Sequence, residues 1–199
     1  MTAALDMALP DRLARGGRPV PMPASNAEIV SLLLHLDEGT RARSLVVQFP
    51  PGFARLEAGR YAVGEEFLVL TGALELDGRA LGAGDWCWVP PGALRDGFGS
   101  ERGAVVYAWF SGRNDFMPAP DEPAPAHSPI RSQRLADALV LRDGTGDAGP
   151  GRSAVLEAGE SFIGPAEALD LGTAVWSRLE QHQSARVGAA GALVRWDNS

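Results

Sequence analysis

The chain has 199 residues, 45% of them hydrophobic, with a formal charge of −7. At roughly 150 residues per domain, that is one comfortable domain or two cramped ones, long enough to bury a core without staples. The acidic balance argues against a nucleic-acid partner, because phosphate neutralisation needs a basic face.

Residue usage narrows the chemistry further. All 18 cationic side chains are arginine, so Schiff-base chemistry and pyridoxal-phosphate anchoring, which need a lysine amine, are excluded. The one cysteine, Cys87, excludes a disulfide framework and an all-cysteine zinc site. No apolar run approaches the roughly 20 residues that cross a bilayer. Residues 1–21 lack the basic-then-apolar order of a signal peptide. The expectation is a soluble, cytoplasmic protein with no membrane partner.

In chain order, residues 1–28 are rich in Pro, Gly, Ala and Arg without periodicity and read as an N-terminal arm. Strands are expected at Ile29–Leu36 and Ser44–Phe49, joined through Asp37-Glu38-Gly39-Thr40. Two more, Glu66–Leu70 and Ala73–Leu76, flank Thr71-Gly72, and Asp77-Gly78 supplies a tight turn. Trp86–Val89 stops at Pro90-Pro91-Gly92, and Ala104–Phe110 is a last strand of β-branched and aromatic residues. Strands this short with frequent turns indicate an all-β sandwich or barrel over residues 29–115.

Residues 117–129 hold Pro118, Pro120, Pro123, Pro125 and Pro129, so 116–130 reads as a linker. Residues 131–199 read as a C-terminal β segment, with weaker strands at Ala138–Leu141, Ser153–Leu156, Ala174–Leu179 and Ala192–Trp196. A faint echo links the halves. Leu34-His35-Leu36-Asp37-Glu38-Gly39-Thr40, followed by Arg43-Ser44, resembles Leu139-Val140-Leu141-Arg142-Asp143-Gly144-Thr145, followed by Arg152-Ser153. Chance similarity of two hairpins is one account of it; a truncated second repeat is the other. Such a segment, too short for its own barrel, needs a surface on which to bury Val175, Trp176, Leu193, Val194 and Trp196, which makes a homodimer the expected assembly.

The stretch 50–92 resembles the cupin superfamily, in particular small bacterial cupins related to the ChrR barrel. Glu65 to Gly72 matches the second half of the first cupin motif, with Glu65 seven residues before Gly72. Gly84, five residues, then Pro90-Pro91-Gly92 matches the second motif without a gap. The resemblance implies a cupin-type antiparallel jelly-roll barrel. It also implies a metal site of three histidines and the motif glutamate, and here the sequence departs from it. Gly59 and Tyr61 stand at two of the histidine positions and Arg95 at the third, leaving Glu65. A glycine offers no ligand and a guanidinium repels a divalent metal, so no metal and no other cofactor is expected. A site built from Tyr61, Glu65 and His35 is the one route back to a metal, and a metal-dependent dioxygenase on atypical ligands ranks last among the readings.

If the motif positions keep the family's inward orientation, Tyr61, Glu65 and Arg95 converge in the barrel as candidate catalytic residues. Arg95 would hold a carboxylate, enolate or phosphate, Glu65 would act as general base and Tyr61 as proton donor. Alternatively, Glu65 and Arg95 form a buried ion pair that fills the space of a lost metal. Trp86 and Trp88 alternate on one strand and Tyr107 and Trp109 on another. They are candidate substrate-binding walls for a flat small molecule, or else ordinary core. Cys87, on the opposite side of its strand from the tryptophans, reads as inert packing. The leading functional expectation is a metal-independent cupin acting on a small anionic, enolisable or polyketide-like molecule, as an isomerase, cyclase or lyase. The alternative is a non-catalytic small-molecule-binding or regulatory cupin.

Overall fold

The computed structural model describes residues 7–119, 129–137, 140–143 and 151–196. Pro120, Pro123 and Pro125 of the expected linker, and Leu139, Gly144 and Thr145 of the second echo, lie outside the described residues. The chain divides into two compact units, one of residues 13–134 and one joining 1–12 with 135–199.

A helix, α1 (Leu9–Gly16), precedes the strands of the first unit. These are β1 (Arg18–Val20), β2 (Ile29–Leu36), β3 (Arg43–Phe49), β4 (Phe53–Ala54), β5 (Gly59–Tyr61) and β6 (Glu65–Leu76), then β7 (Arg79–Gly82), β8 (Asp85–Val89), β9 (Gly99–Ser100), β10 (Ala104–Phe110), β11 (Phe116–Pro118) and β12 (Arg131–Arg134). The main sheet runs β1-β2-β3-β10-β6-β8-β12, every pairing antiparallel. The sheet neighbours β3 and β10 are thus far apart in the chain, with β4 to β9 between them, as a jelly roll requires. The unit extends past 29–115 at both ends. β1 pairs β2 from within the expected arm, β11 pairs β5 from within the expected linker, and β12 pairs β8.

One expected turn follows the sequence and one does not. Asp77 and Gly78 both have positive φ, 53° and 71°, the pairing a two-residue type I′ hairpin demands, and they join β6 to β7. Thr71-Gly72 is no turn. β6 runs unbroken from Glu65 to Leu76, and its register against β10 shifts between Val105 and Val106. Gly72 has φ 75°, and a Cβ there would lie 2.0 Å from the Gly103 carbonyl oxygen. The glycine therefore admits a bulged close approach inside one strand.

One face of this sheet closes on an apolar interior that includes Val47, Phe49, Phe67, Val69, Val106 and Phe110. Phe49, Phe53 and Phe98 meet at ring separations of 5.0–6.0 Å. The other face is buried as well: Val46, Trp86, Trp88, Tyr107 and Trp109 are each no more than 6% exposed.

The second unit contains β13 (Val140–Arg142), β14 (Arg152–Leu156), β15 (Ser161–Ile163), β16 (Ala166–Asp170), β17 (Trp176–Leu179), β18 (Ser184–Arg186) and β19 (Ala192–Trp196). Its sheet order is β13-β14-β19-β16-β17, with β15 paired to β18. In chain order this is the same path as β2-β3-β10-β6-β8 with β4 paired to β9. Its core holds Phe162, Ala166, Ala168, Val187, Ala192 and Val194.

Candidate functional site

The barrel interior of residues 13–134 encloses a cavity of about 380 Å³, within the range of small-molecule sites. The register of three adjacent strands decides its chemistry. Arg43, Phe110 and Glu65 form one cross-strand row over β3, β10 and β6. The next inward-facing row is Leu45, Ala108 and Phe67. Val47 and Val106 continue it, and all of these residues line the cavity. The polar end is completed by Tyr61 from β5, by Arg55 just after β4 and by Arg95 from the segment after Pro90-Pro91-Gly92. Val20, Pro21, Met22 and Pro23, from the expected N-terminal arm, line the cavity too.

Tyr61, Glu65 and Arg95 are therefore brought together. Arg95 is 2% exposed and held from several sides. Its backbone exchanges two hydrogen bonds with Gly59, and its guanidinium lies 4.3 Å over the Tyr61 ring. Its Nε and Nη2 donate to Glu65 Oε2 at 3.2 and 3.0 Å, and Nη1 donates to the Ala93 carbonyl at 3.5 Å. Both bonds to Glu65 fall on one oxygen, so the pair is not a closed fork, and among the described residues no donor reaches Oε1.

Sequence reasoning passed over a further cation. Arg55 is 6% exposed and its Nη2 donates to the Tyr61 hydroxyl at 2.8 Å. Its guanidinium stacks 4.5 Å over Phe116 and sits 5.5 Å from the Tyr61 and Phe98 rings. Its Nε is buried without a partner, and among the described residues no carboxylate pairs with it. Nothing in the sequence sets it apart, since every cation in the chain is an arginine. Tyr61 is 4% exposed and flanked by both guanidinium groups. Burial, and secondarily the charge of Glu65, raises its pKa above that of an ordinary phenol, against the opposing pull of Arg55 and Arg95. It stays a neutral phenol, accepting from Arg55 with its own proton still to donate.

The four aromatics expected as substrate walls do not line this cavity. Trp86 and Trp88 flank Cys87, and Cys87 belongs to the barrel interior, so the alternation sends both tryptophans to the other face. Tyr107 and Trp109 are turned away in the same manner, because Val106, Ala108 and Phe110 take the inward positions of β10. Trp86 Nε1 instead donates to Glu66 Oε1 at 2.7 Å.

His35 leaves the site as well. The β2–β3 register shifts between Leu33 and His35, so that Leu33 pairs with inward Leu45 but His35 pairs with Ser44. Ser44 is the neighbour of Trp109 on the opposite face. Gly59 cannot be replaced by a ligand either, because a Cβ there would lie 2.2 Å from the Phe116 ring. Among the described residues, no three His, Cys, Asp or Glu side chains cluster to hold a metal. With Glu65 bonded to a permanent cation at 3.0 Å, the residues present do not fit a metal centre of three histidines and a glutamate.

Neither a protein-family model nor a curated protein matches the chain. Solved structures do. A candidate dioxygenase from Nostoc punctiforme is 15% identical with a TM-score of 0.63, over 90% of this chain and 77% of that one. The protein Ylba from E. coli is 13% identical with a TM-score of 0.54, over 93% and 84%. A candidate glyoxylate-induced protein from Pseudomonas aeruginosa is 11% identical with a TM-score of 0.51, over 90% and 84%. At these identities the likeness concerns the fold, which is the all-β cupin jelly roll. Among the described residues, no helix is long and apolar enough to cross a membrane.

Proposed function

We propose that the protein binds a small anionic, enolisable organic acid in the barrel cavity and moves a proton on it without a metal, as an isomerase, cyclase or lyase. The observation that carries this reading is the division of labour around Tyr61. Arg95 is committed to Glu65 and Ala93, whereas Arg55 keeps a buried donor with no partner. Arg55, rather than Arg95, is thus the cation left to meet an anion. Glu65 Oε1 is the free base, and the Tyr61 hydroxyl, polarised by Arg55, is the proton donor. Charge that develops on an enolate oxygen would be met by a fixed phenol and guanidinium in an apolar cavity, where such groups act most strongly.

A metal-dependent dioxygenase is not supported, because the donor set lacks ligands. A binding module without chemistry is the second reading, and the Arg95–Glu65 pair favours it, since a paired charge is also what burial alone demands. The test is deuterium exchange at the carbon next to the carbonyl in a panel of 2-oxo and 3-oxo acids, followed by NMR in D2O with EDTA present. Exchange is expected, falling by about 10²–10⁴-fold in Glu65→Gln and Tyr61→Phe. A stoichiometric co-purified acid with no exchange would establish the binding module instead. Exchange that EDTA abolishes would overturn the metal-independent reading.

A further inference from the structure

Two guanidinium groups of the cavity, not one, have no ion-pair partner within its lining. Arg43 lines the cavity at the end of β3, and its Nε, like that of Arg55, is buried with no hydrogen bond. Among the described residues, no carboxylate forms an ion pair with either. The cavity lining thus carries three arginines, Arg43, Arg55 and Arg95, against the single carboxylate of Glu65. Asp115, outside the lining, attracts Arg43 but is ion-paired with Arg113 at 2.8 Å. Two guanidinium groups therefore face a partly dry space with no carboxylate in it to pair them. They are held apart. Arg43 lies across from Phe110 in the strand register, the Phe110 ring meets the Tyr61 ring edge-on at 5.8 Å, and Arg55 lies beyond, on the Tyr61 hydroxyl. Leu45, Val47, Phe67 and Val106 supply only hydrocarbon around them.

From this arrangement we infer that the ligand is a dicarboxylate with an apolar middle, one carboxylate on Arg55 and the Tyr61 hydroxyl, the other on Arg43. A single compact dianion such as phosphate would satisfy one guanidinium and leave the other unpaired. Two separate planar carboxylates match two separate planar forks. The inference rests on the anion-binding reading above and adds the second anionic group to it.

The test is calorimetric titration of the full chain with succinate, glutarate and adipate, and with the monocarboxylates of equal carbon number as controls. At least one dicarboxylate should bind about tenfold or more tightly than its monocarboxylate. Arg43→Gln should bring that ratio close to one, and Arg43→Lys, which keeps the charge but not the planar fork, should retain part of it. Thermal melts confirm that each variant is folded. If wild type binds both classes equally, or if Arg43→Gln keeps the preference, the dicarboxylate inference is overturned while the anion site stands. If wild type binds neither class, the anion-site reading itself falls and the inference falls with it.

Discussion

At the scale of single residues, Arg95 and Cys87 give opposite lessons about buried polar atoms. Arg95 satisfies its donors on Glu65 and Ala93, so its removal leaves a mostly buried carboxylate with no cation. Arg95→Ala should lower stability by about 3 kcal/mol in urea denaturation, and adding Glu65→Gln should restore part of that. A loss under about 1 kcal/mol would mean that the pair behaves like a surface contact. Cys87, fully buried in the barrel interior, makes no such bond. Burial first, and then the charge of Glu65, pushes its thiol pKa far above the ordinary range. The unfolded chain loses this proton near pH 8.5 while the folded chain keeps it. Above that pH the unfolded state therefore binds fewer protons, and stability falls by up to about 1.4 kcal/mol per pH unit. Tyr61, whose pKa is also raised, adds to the decline above about pH 10. Chemical denaturation at pH 8 to 10 should show the slope in wild type and lose it in Cys87→Ala; a slope unchanged by that substitution would assign it to another group.

Among the elements, those read correctly from the sequence were the ones whose pattern has one physical explanation. Ile29–Leu36 and Ala104–Phe110 are strands over the same residues as expected, because β-branched and aromatic runs between turn residues have little alternative. Strand facing was harder. Val46, Trp86, Trp88, Tyr107 and Trp109 are buried on one face and Phe67, Cys87, Val106 and Ala108 on the other. A sheet buried on both sides has no hydrophobic alternation from which to read which side holds the cavity. The bulge that turns His35 outward leaves no mark in composition, since Leu34 beside it is as apolar as its neighbours. The pairing of β5 with β11 was also hidden, as three-residue strands carry too little pattern. Yet it explains Gly59: the Phe116 ring occupies the space of a Cβ. Gly59→Ala should cost roughly 1–3 kcal/mol by overpacking. Phe116→Ala in the same chain should recover part of that cost, because the two positions share one space. Additive losses in this double-mutant cycle would place the strain elsewhere, for instance on the Met117 carbonyl oxygen 2.7 Å from the same Cβ position.

Across the whole molecule, the two units share more than a strand path. Glu66 accepts from Trp86 Nε1, and Glu167 accepts from Trp176 Nε1 at 3.1 Å. The registers match as well: Leu68 pairs with Trp86 and Leu169 with Trp176, each two residues beyond its glutamate. Ser44 pairs with Trp109 as Ser153 pairs with Arg195. With the two sheets aligned in this way, the place of Glu65 is taken by Ala166. The connection that carries Arg95, residues 90–98 between β8 and β9, corresponds to the shorter stretch 180–183 between β17 and β18. The shared path thus keeps the buried Glu–Trp contact but neither the base Glu65 nor the loop that brings Arg95 to it. Ligand stoichiometry should consequently be one per chain, since the second path keeps a counterpart of Arg43 in Arg152 but has Ala166 where the base Glu65 stands. Calorimetry with the tightest-binding acid should give a stoichiometry near one, abolished by Arg55→Gln. A stoichiometry near two, with one site surviving that substitution, would show that the second unit binds through groups of its own.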